Sequence, residues 1–106
     1  MKDKLNNNIR ERILKAFIDM AILARLDDKT MNGYEITVLF LKSYGTAIST
    51  STVYSTLYAM ERNELIKGNY SKRSRIYELT EKGKKTLEDT RNTAEDIQAF
   101  IKTLLR

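Results

Sequence analysis

The sequence predicts a mainly α fold with one small β-hairpin, and three features predict it. Apolar residues recur at three- and four-residue steps through most of the 106-residue chain. The period drops to two between Ile66 and Leu79, then returns beyond Thr80 as a narrow heptad seam. With 42% apolar and 31% charged residues, the chain has the content of one folded unit, and its length suits a single domain.

Asn8 and Glu11 have the spacing of a capping box, so a first helix is expected over 9–26. Its apolar stripe, which includes Ile9, Ile13, Leu14, Phe17, Ile18 and Ile22, is wider than the sector of about 100° that a lone surface helix needs. Two neighbours are therefore expected, with the chain's own core as one candidate and a partner subunit as the other. Asp27-Asp28-Lys29-Thr30 reads as a polar turn. Asn32 and Glu35 repeat the cap pattern and open a second helix through Ile36, Leu39 and Phe40, which Gly45 ends as a residue suited to left-handed backbone.

Ser49 caps a third helix over 49–63, with Val53, Leu57 and Met60 inward and the apolar spacing running on to Leu65 and Ile66. Its outer face carries Thr50, Ser51, Tyr54, Ser55 and Tyr58, polar and aromatic but uncharged. Residues 66–79 read as a hairpin with the tip Ser71-Lys72-Arg73-Ser74. Thr80 caps the last helix, where Leu87, Ala94 and Ile101 share one heptad position and Thr90, Ile97 and Leu104 the other. Isolated short helices are marginal, so this seam is expected to bury itself on another element, and the wide first helix is the obvious candidate. The expected division is a unit over 1–80 followed by a dimerisation helix over 81–106.

Composition narrows the function. The chain has no cysteine, histidine, proline or tryptophan. Disulfides, zinc ribbons, thiol and Ser-His-Asp catalysis and His-rich metal sites are thereby excluded, so neither a cofactor nor an enzyme is expected. Lys15, Asp19 and Arg25 interrupt the first apolar segment, so neither a membrane span nor a signal peptide is read, and the expected location is the cytoplasm. The formal charge of +5 is local. Residues 1–61 carry eight cations and seven anions and residues 86–106 three and four, whereas residues 62–85 carry eight against three. Such a concentration points to an anionic partner, nucleic acid first.

Helix, helix, helix, basic hairpin, helix is the order of a winged helix-turn-helix, in which the third helix fits the major groove of duplex DNA and the wing reaches backbone phosphates or the minor groove. Four blocks then carry a family resemblance. Asn32-Gly33-Tyr34-Glu35-Ile36, Ile48-Ser49-Thr50-Ser51-Thr52-Val53-Tyr54 through Leu57, Met60-Glu61 with Leu65-Ile66, and Arg75-Ile76-Tyr77-Glu78-Leu79-Thr80-Glu81-Lys82-Gly83 resemble the PadR family of transcriptional regulators. That family is typified by His-Gly-Tyr-Glu, a Ser-Pro-Gly-Thr-Leu-Tyr-Pro helix opening, a Leu-Glu…Gly-Leu-Ile exit and a Tyr-x-Leu-Thr-x-x-Gly junction. Here Asn32 replaces the histidine, Thr50, Ser51 and Ser55 replace proline, glycine and proline, and Glu64 replaces a glycine.

The resemblance implies a short family member whose first and last helices meet across a homodimer, acting as a repressor on a palindromic operator. It implies that Tyr54 faces DNA and that Asn32 and Tyr34 touch the backbone. Ser49, Thr50, Ser51, Thr52, Ser55 and Tyr58 are further candidates on the third helix. Lys72, Arg73, Ser74 and Arg75 are the candidates at the wing, and Leu14, Ile18, Leu87, Ala94, Ile97, Ile101 and Leu104 those at the dimer interface. Some members bind effectors at that interface by stacking on a tryptophan, which this chain lacks, so any small-molecule effector stays unnamed. The competing readings are a nonspecific architectural DNA-binding protein and a winged helix used for protein contact, the latter disfavoured by the basic tip.

Overall fold

A computed structural model of the chain describes residues 4–106, so the first three positions of the expected 1–80 unit lie outside the described residues. The elements are α1 (Asn7–Ala16), α2 (Ile18–Asp28), β1 (Met31–Asn32), α3 (Gly33–Tyr44), α4 (Thr50–Arg62), β2 (Ile66–Ser71), β3 (Ser74–Leu79), α5 (Glu81–Asn92) and α6 (Ala94–Leu104). The fold is mainly α with a small antiparallel sheet, a winged helix in which α3 and α4 form the helix-turn-helix and β2–β3 the wing.

The core is filled by Ile22 and Leu23 of α2, Ile36 and Phe40 of α3, Val53 and Leu57 of α4, and Ile66 of β2, all fully buried. The caps act where the sequence puts them for three helices. Asn32 accepts from the Glu35 amide at 2.8 Å while Glu35 accepts from the Asn32 amide at 3.0 Å, a complete capping box. Ser49 and Thr80 cap α4 and α5 by accepting from the Thr52 and Gly83 amides. Gly45 ends α3 at φ 66°, a conformation open to glycine without steric cost.

Five features depart from expectation. The first cap is Asn6, which accepts from the Ile9 amide at 2.8 Å; three consecutive asparagines offer the same chemistry, and Glu11 pairs instead with Lys15 at 3.0 Å. The helix expected over 9–26 is broken at Phe17 (φ −116°, ψ 22°), where burial changes: α2 buries four residues and α1 only Leu14. Met31, just past the expected turn, and Asn32, expected only as a cap, pair with Tyr77 and Ile76, so the hairpin becomes a three-stranded sheet in the order β1-β3-β2. The apolar spacing to Leu65 and Ile66 does not stay helical: α4 stops at Arg62, Glu64 takes φ 62°, and Ile66 opens β2. The last helix is broken at Thr93 (φ −105°, ψ 7°).

That last break divides the heptad seam. α5 packs on α2, tied by Arg91 to Asp27 at 3.1 Å, and buries Leu87 inside this chain. Leu14 and Ile18 are likewise buried by the chain itself, Ile18 beside Met60 and Leu65. These three expected interface residues therefore belong to the chain's own core, with only Leu14 and Leu87 keeping an edge at the surface groove described next. Beyond Thr93, α6 buries none of its residues and leaves Phe100, Ile101, Leu104 and the adjoining Leu105 exposed. Ala94 is exposed and Ile97 half-buried. α1, α2, α5 and the start of α6 frame an apolar groove of about 440 Å³, lined by Ile13, Phe17, Met20, Leu87, Ala94 and Ile97 among others. Among the described residues, no helix is long and apolar enough to cross a membrane.

Candidate nucleic-acid interface

α4 is amphipathic by residue type. Val53, Leu57 and Met60 face the core, so the residues between them face out. At its opening the hydroxyls are already engaged: Ser49 Oγ and Thr52 Oγ1 lie 2.7 Å apart, and Ser55 donates to the Thr52 carbonyl at 3.2 Å. Thr50 and Ser51 are exposed at the first turn. Tyr54 is 44% exposed and its ring lies against Gly33, whereas Tyr58 is 67% exposed with the Arg62 guanidinium 5.2 Å from its ring centre. Tyr34, at the start of α3, is 70% exposed.

The wing turns in two residues, Lys72 and Arg73, between the paired Ser71 and Ser74. Both have positive φ, 49° and 70°, as a type I′ turn demands. Asn-Gly is the favoured pair there, and side chains with a β-carbon cost about 1 kcal/mol or more each in left-handed backbone. Two cations thus sit at the tip against the local conformational preference.

Behind the tip, the next two residues fasten the wing to the helices. Ser74 accepts from the Asn32 side-chain amide at 2.9 Å, tying β3 to the cap of α3. Arg75 donates to both carboxylate oxygens of Glu61, at 3.0 and 2.6 Å, tying β3 to the end of α4. The guanidinium lies 5.4 Å from the Tyr70 ring centre and 6.0 Å from that of Tyr77. Gly68 makes room for it, since a β-carbon there would stand 2.5 Å from Arg75 Nε. Hydrogen bonding from Arg75 holds the Glu61 carboxyl below its usual range despite partial burial, and burial pushes the Tyr77 phenol up.

The basic stretch divides accordingly. Lys67 pairs with Glu78, Lys84 with Glu81 and Lys85 with Asp89, and Lys82 donates to the Asn63 carbonyl. With Arg75 on Glu61 and Arg62 on Tyr58, Lys72 and Arg73 are the cations of this stretch that make no ion pair, hydrogen bond or ring contact among the described residues. Three expected DNA contacts are therefore occupied within the fold: Asn32 and Ser74 with each other, and Arg75 with Glu61. The structural roles of Glu61, Gly33 and Gly68 were missed, since a pair separated by fourteen residues leaves no local spacing to detect. The only signal was that Glu61 and Arg75 stand in separate blocks of the resemblance.

The surface thus formed is an uncharged polar and aromatic helix face beside a cationic hairpin tip. The family model for the transcriptional regulator PadR-like family matches residues 22–89. The chain belongs to that family. A PadR family transcription regulator from Clostridium difficile is 29% identical, with a TM-score of 0.73 over 85% of this chain and 99% of that one. A transcriptional regulator from Clostridium thermocellum is 26% identical, with a TM-score of 0.77 over 90% of this chain and 99% of that one. Bacillus subtilis PadR, solved in complex with operator DNA, is 26% identical with a TM-score of 0.62, over 68% of this chain and 45% of that chain. No curated protein matches the chain significantly in sequence. In this PadR-like regulator the family match begins within α2 and ends within α5, so it takes in the whole helix-turn-helix and wing and leaves α1 and α6 outside.

Two outcomes follow for stability. Because Glu61 titrates below its unfolded value, its contribution is complete above the usual carboxylate pKa of about 4.3 and is lost as pH falls through the lowered folded value. The stability gap between wild type and Glu61→Gln is therefore widest at neutral pH and closes in acid; a gap independent of pH in denaturant titrations contradicts the ion pair. Replacing the tip by Asn-Gly (Lys72→Asn with Arg73→Gly) raises unfolding stability by about 1 kcal/mol. An unchanged or lower denaturation midpoint would show that the turn is not strained.

Proposed function

We propose that this PadR-like protein is a homodimeric, sequence-specific DNA-binding regulator, a repressor acting in the cytoplasm on a palindromic operator. The observation that carries the reading is the pairing of an exposed Thr50/Ser51/Tyr54/Tyr58 face with unpaired cations at Lys72 and Arg73, held beside it through Arg75 and Glu61. α4 enters the major groove, its hydroxyls and Tyr54 meeting base edges, and the wing tip meets phosphate or the minor groove. The solved complex of Bacillus subtilis PadR with operator DNA supports DNA as the ligand.

Residues up to 80 form the DNA-binding unit, and within 81–106 the dimerising part is α6, beyond the break at Thr93. The exposed apolar side chains of α6 fit the apolar groove of a second copy, burying Ile101 and Leu104 together with Ala94 and Ile97 against the edges of Leu14 and Leu87. Two α4 helices related by a two-fold axis then read half-sites about 10 bp apart, or a multiple of that.

Selection of bound sequences from a random DNA pool tests the central reading: a recovered palindrome with a protected footprint supports a regulator, and uniform coverage supports an architectural protein instead. Four tip cations per dimer give a slope of log affinity on log salt of about −4, approaching −7 if about four further lysines or arginines exchange their partners for phosphate. A slope near zero excludes DNA as the ligand. Arg73→Ala weakens all sequences alike and reduces the slope by about 2, whereas Tyr54→Ala lowers the specific-to-nonspecific ratio by about tenfold or more. Leu104→Glu converts a two-chain particle into a one-chain particle in sedimentation; wild type sedimenting as one chain at micromolar concentration rules out the dimer.

A further inference from the structure

Tyr54 and Tyr58 sit on the same face of α4, but they are held differently. Tyr58 leans on Arg62, a flexible neighbour on its own helix. Tyr54 leans on backbone: a β-carbon placed on Gly33 would stand 2.5 Å from its Cε1 and Cζ and 2.8 Å from its Oη. Side chains do not tolerate contacts that short, so any residue larger than glycine at 33 must push the outer end of the tyrosine ring away from α3.

The position has no other evident need for glycine. Gly33 is the first residue of α3 and does not take positive φ, unlike Gly45. Alanine is the better helix former, by roughly 1 kcal/mol in a helix interior and by less at a first residue, so backbone conformation alone does not call for glycine. Room for the Tyr54 ring is the requirement that remains. The inner side of the tyrosine ring is thus set by α3, an element other than its own helix.

We propose that Gly33 is a specificity-determining positioning residue: it is the seat that fixes where the Tyr54 side chain stands on the reading face. The first helix of the helix-turn-helix then acts on recognition through the second, without itself reading a base. Discrimination between base pairs depends on placement within about 0.5 Å, so a displaced but intact tyrosine keeps its chemistry and loses its selectivity. The proposal rests on the reading of Tyr54 as a DNA-facing residue.

The test is a double-mutant cycle of Gly33→Ala and Tyr54→Ala in the full chain, measured on the selected operator and on random duplex. Gly33→Ala is expected to weaken operator binding about tenfold, to leave random-duplex binding and its salt slope unchanged, and to keep or raise Tm. In the Tyr54→Ala background the same substitution is expected to cost nothing, because the space is then open. An equal loss in both backgrounds, or full selectivity in Gly33→Ala, overturns the proposal. If Tyr54→Ala alone leaves selectivity intact, it is the DNA-facing reading of Tyr54 that fails, and the seat has nothing to position. Should the clash lower Tm instead of moving the ring, the double variant regains it; a double variant as unstable as Gly33→Ala places the fault within α3 and refutes the seat.

Discussion

The Arg75–Glu61 pair governs the geometry of the surface that α4 and the wing form together, because it fixes the wing to the helix that it flanks. The pair is partly exposed, and ion pairs in that setting contribute little as isolated units. Its effect comes from surroundings that leave the guanidinium few alternatives: two donors on two carboxylate oxygens, tyrosine rings at 70 and 77, and a glycine at 68 where a β-carbon would intrude. A planar, bidentate group is suited to such a role, and lysine would keep the charge while losing the fork. The wing is a two-stranded ribbon with a third strand of only two residues, too slight to hold an orientation by hydrogen bonds along the sheet alone.

Local strain collects near the same surface. Glu64 takes left-handed backbone just before the wing begins, and Lys72 and Arg73 do so at its tip. Glu64 is held by its neighbours: its carbonyl accepts from the Thr80 hydroxyl at 2.6 Å, and the next carbonyl, of Leu65, accepts from the Thr80 amide at 3.2 Å. The cap of α5 therefore also secures the turn that leaves α4. At the tip, the Lys72 and Arg73 side chains have no such support among the described residues.

Features that depend on near neighbours were legible in the sequence. The Asn32–Glu35 box, the Ser49 and Thr80 caps, Gly45, the apolar faces of α2 to α4 and the hairpin all follow from spacing within a turn or two. The breaks at Phe17 and Thr93 were not, because neither coincides with glycine or proline, and burial changes at both, rising from α1 to α2 and falling from α5 to α6. β1 is too short for any alternation to register. Charge was legible in amount but not in destination: the excess over 62–85 was evident, yet which cations stay unpaired depends on partners such as Glu61 and Asn63, which meet Arg75 and Lys82 from fourteen and nineteen residues away. Leu87 fell on a heptad position, and only the packing of α5 on α2 shows that the chain buries it itself.

Ser74 and Arg75 are consecutive, and a strand sends consecutive side chains to opposite faces. One reaches the cap of α3 and the other the end of α4. The wing thereby separates into a part that can drift and a part that cannot. Residues inserted at 72–73 lengthen the loop and leave both attachments in place, so lineages can alter reach and charge there freely. One residue inserted between Ser74 and Tyr77 reverses the alternation, and both attachments are lost together. Insertions and deletions among relatives should therefore gather at the tip and stop short of β3.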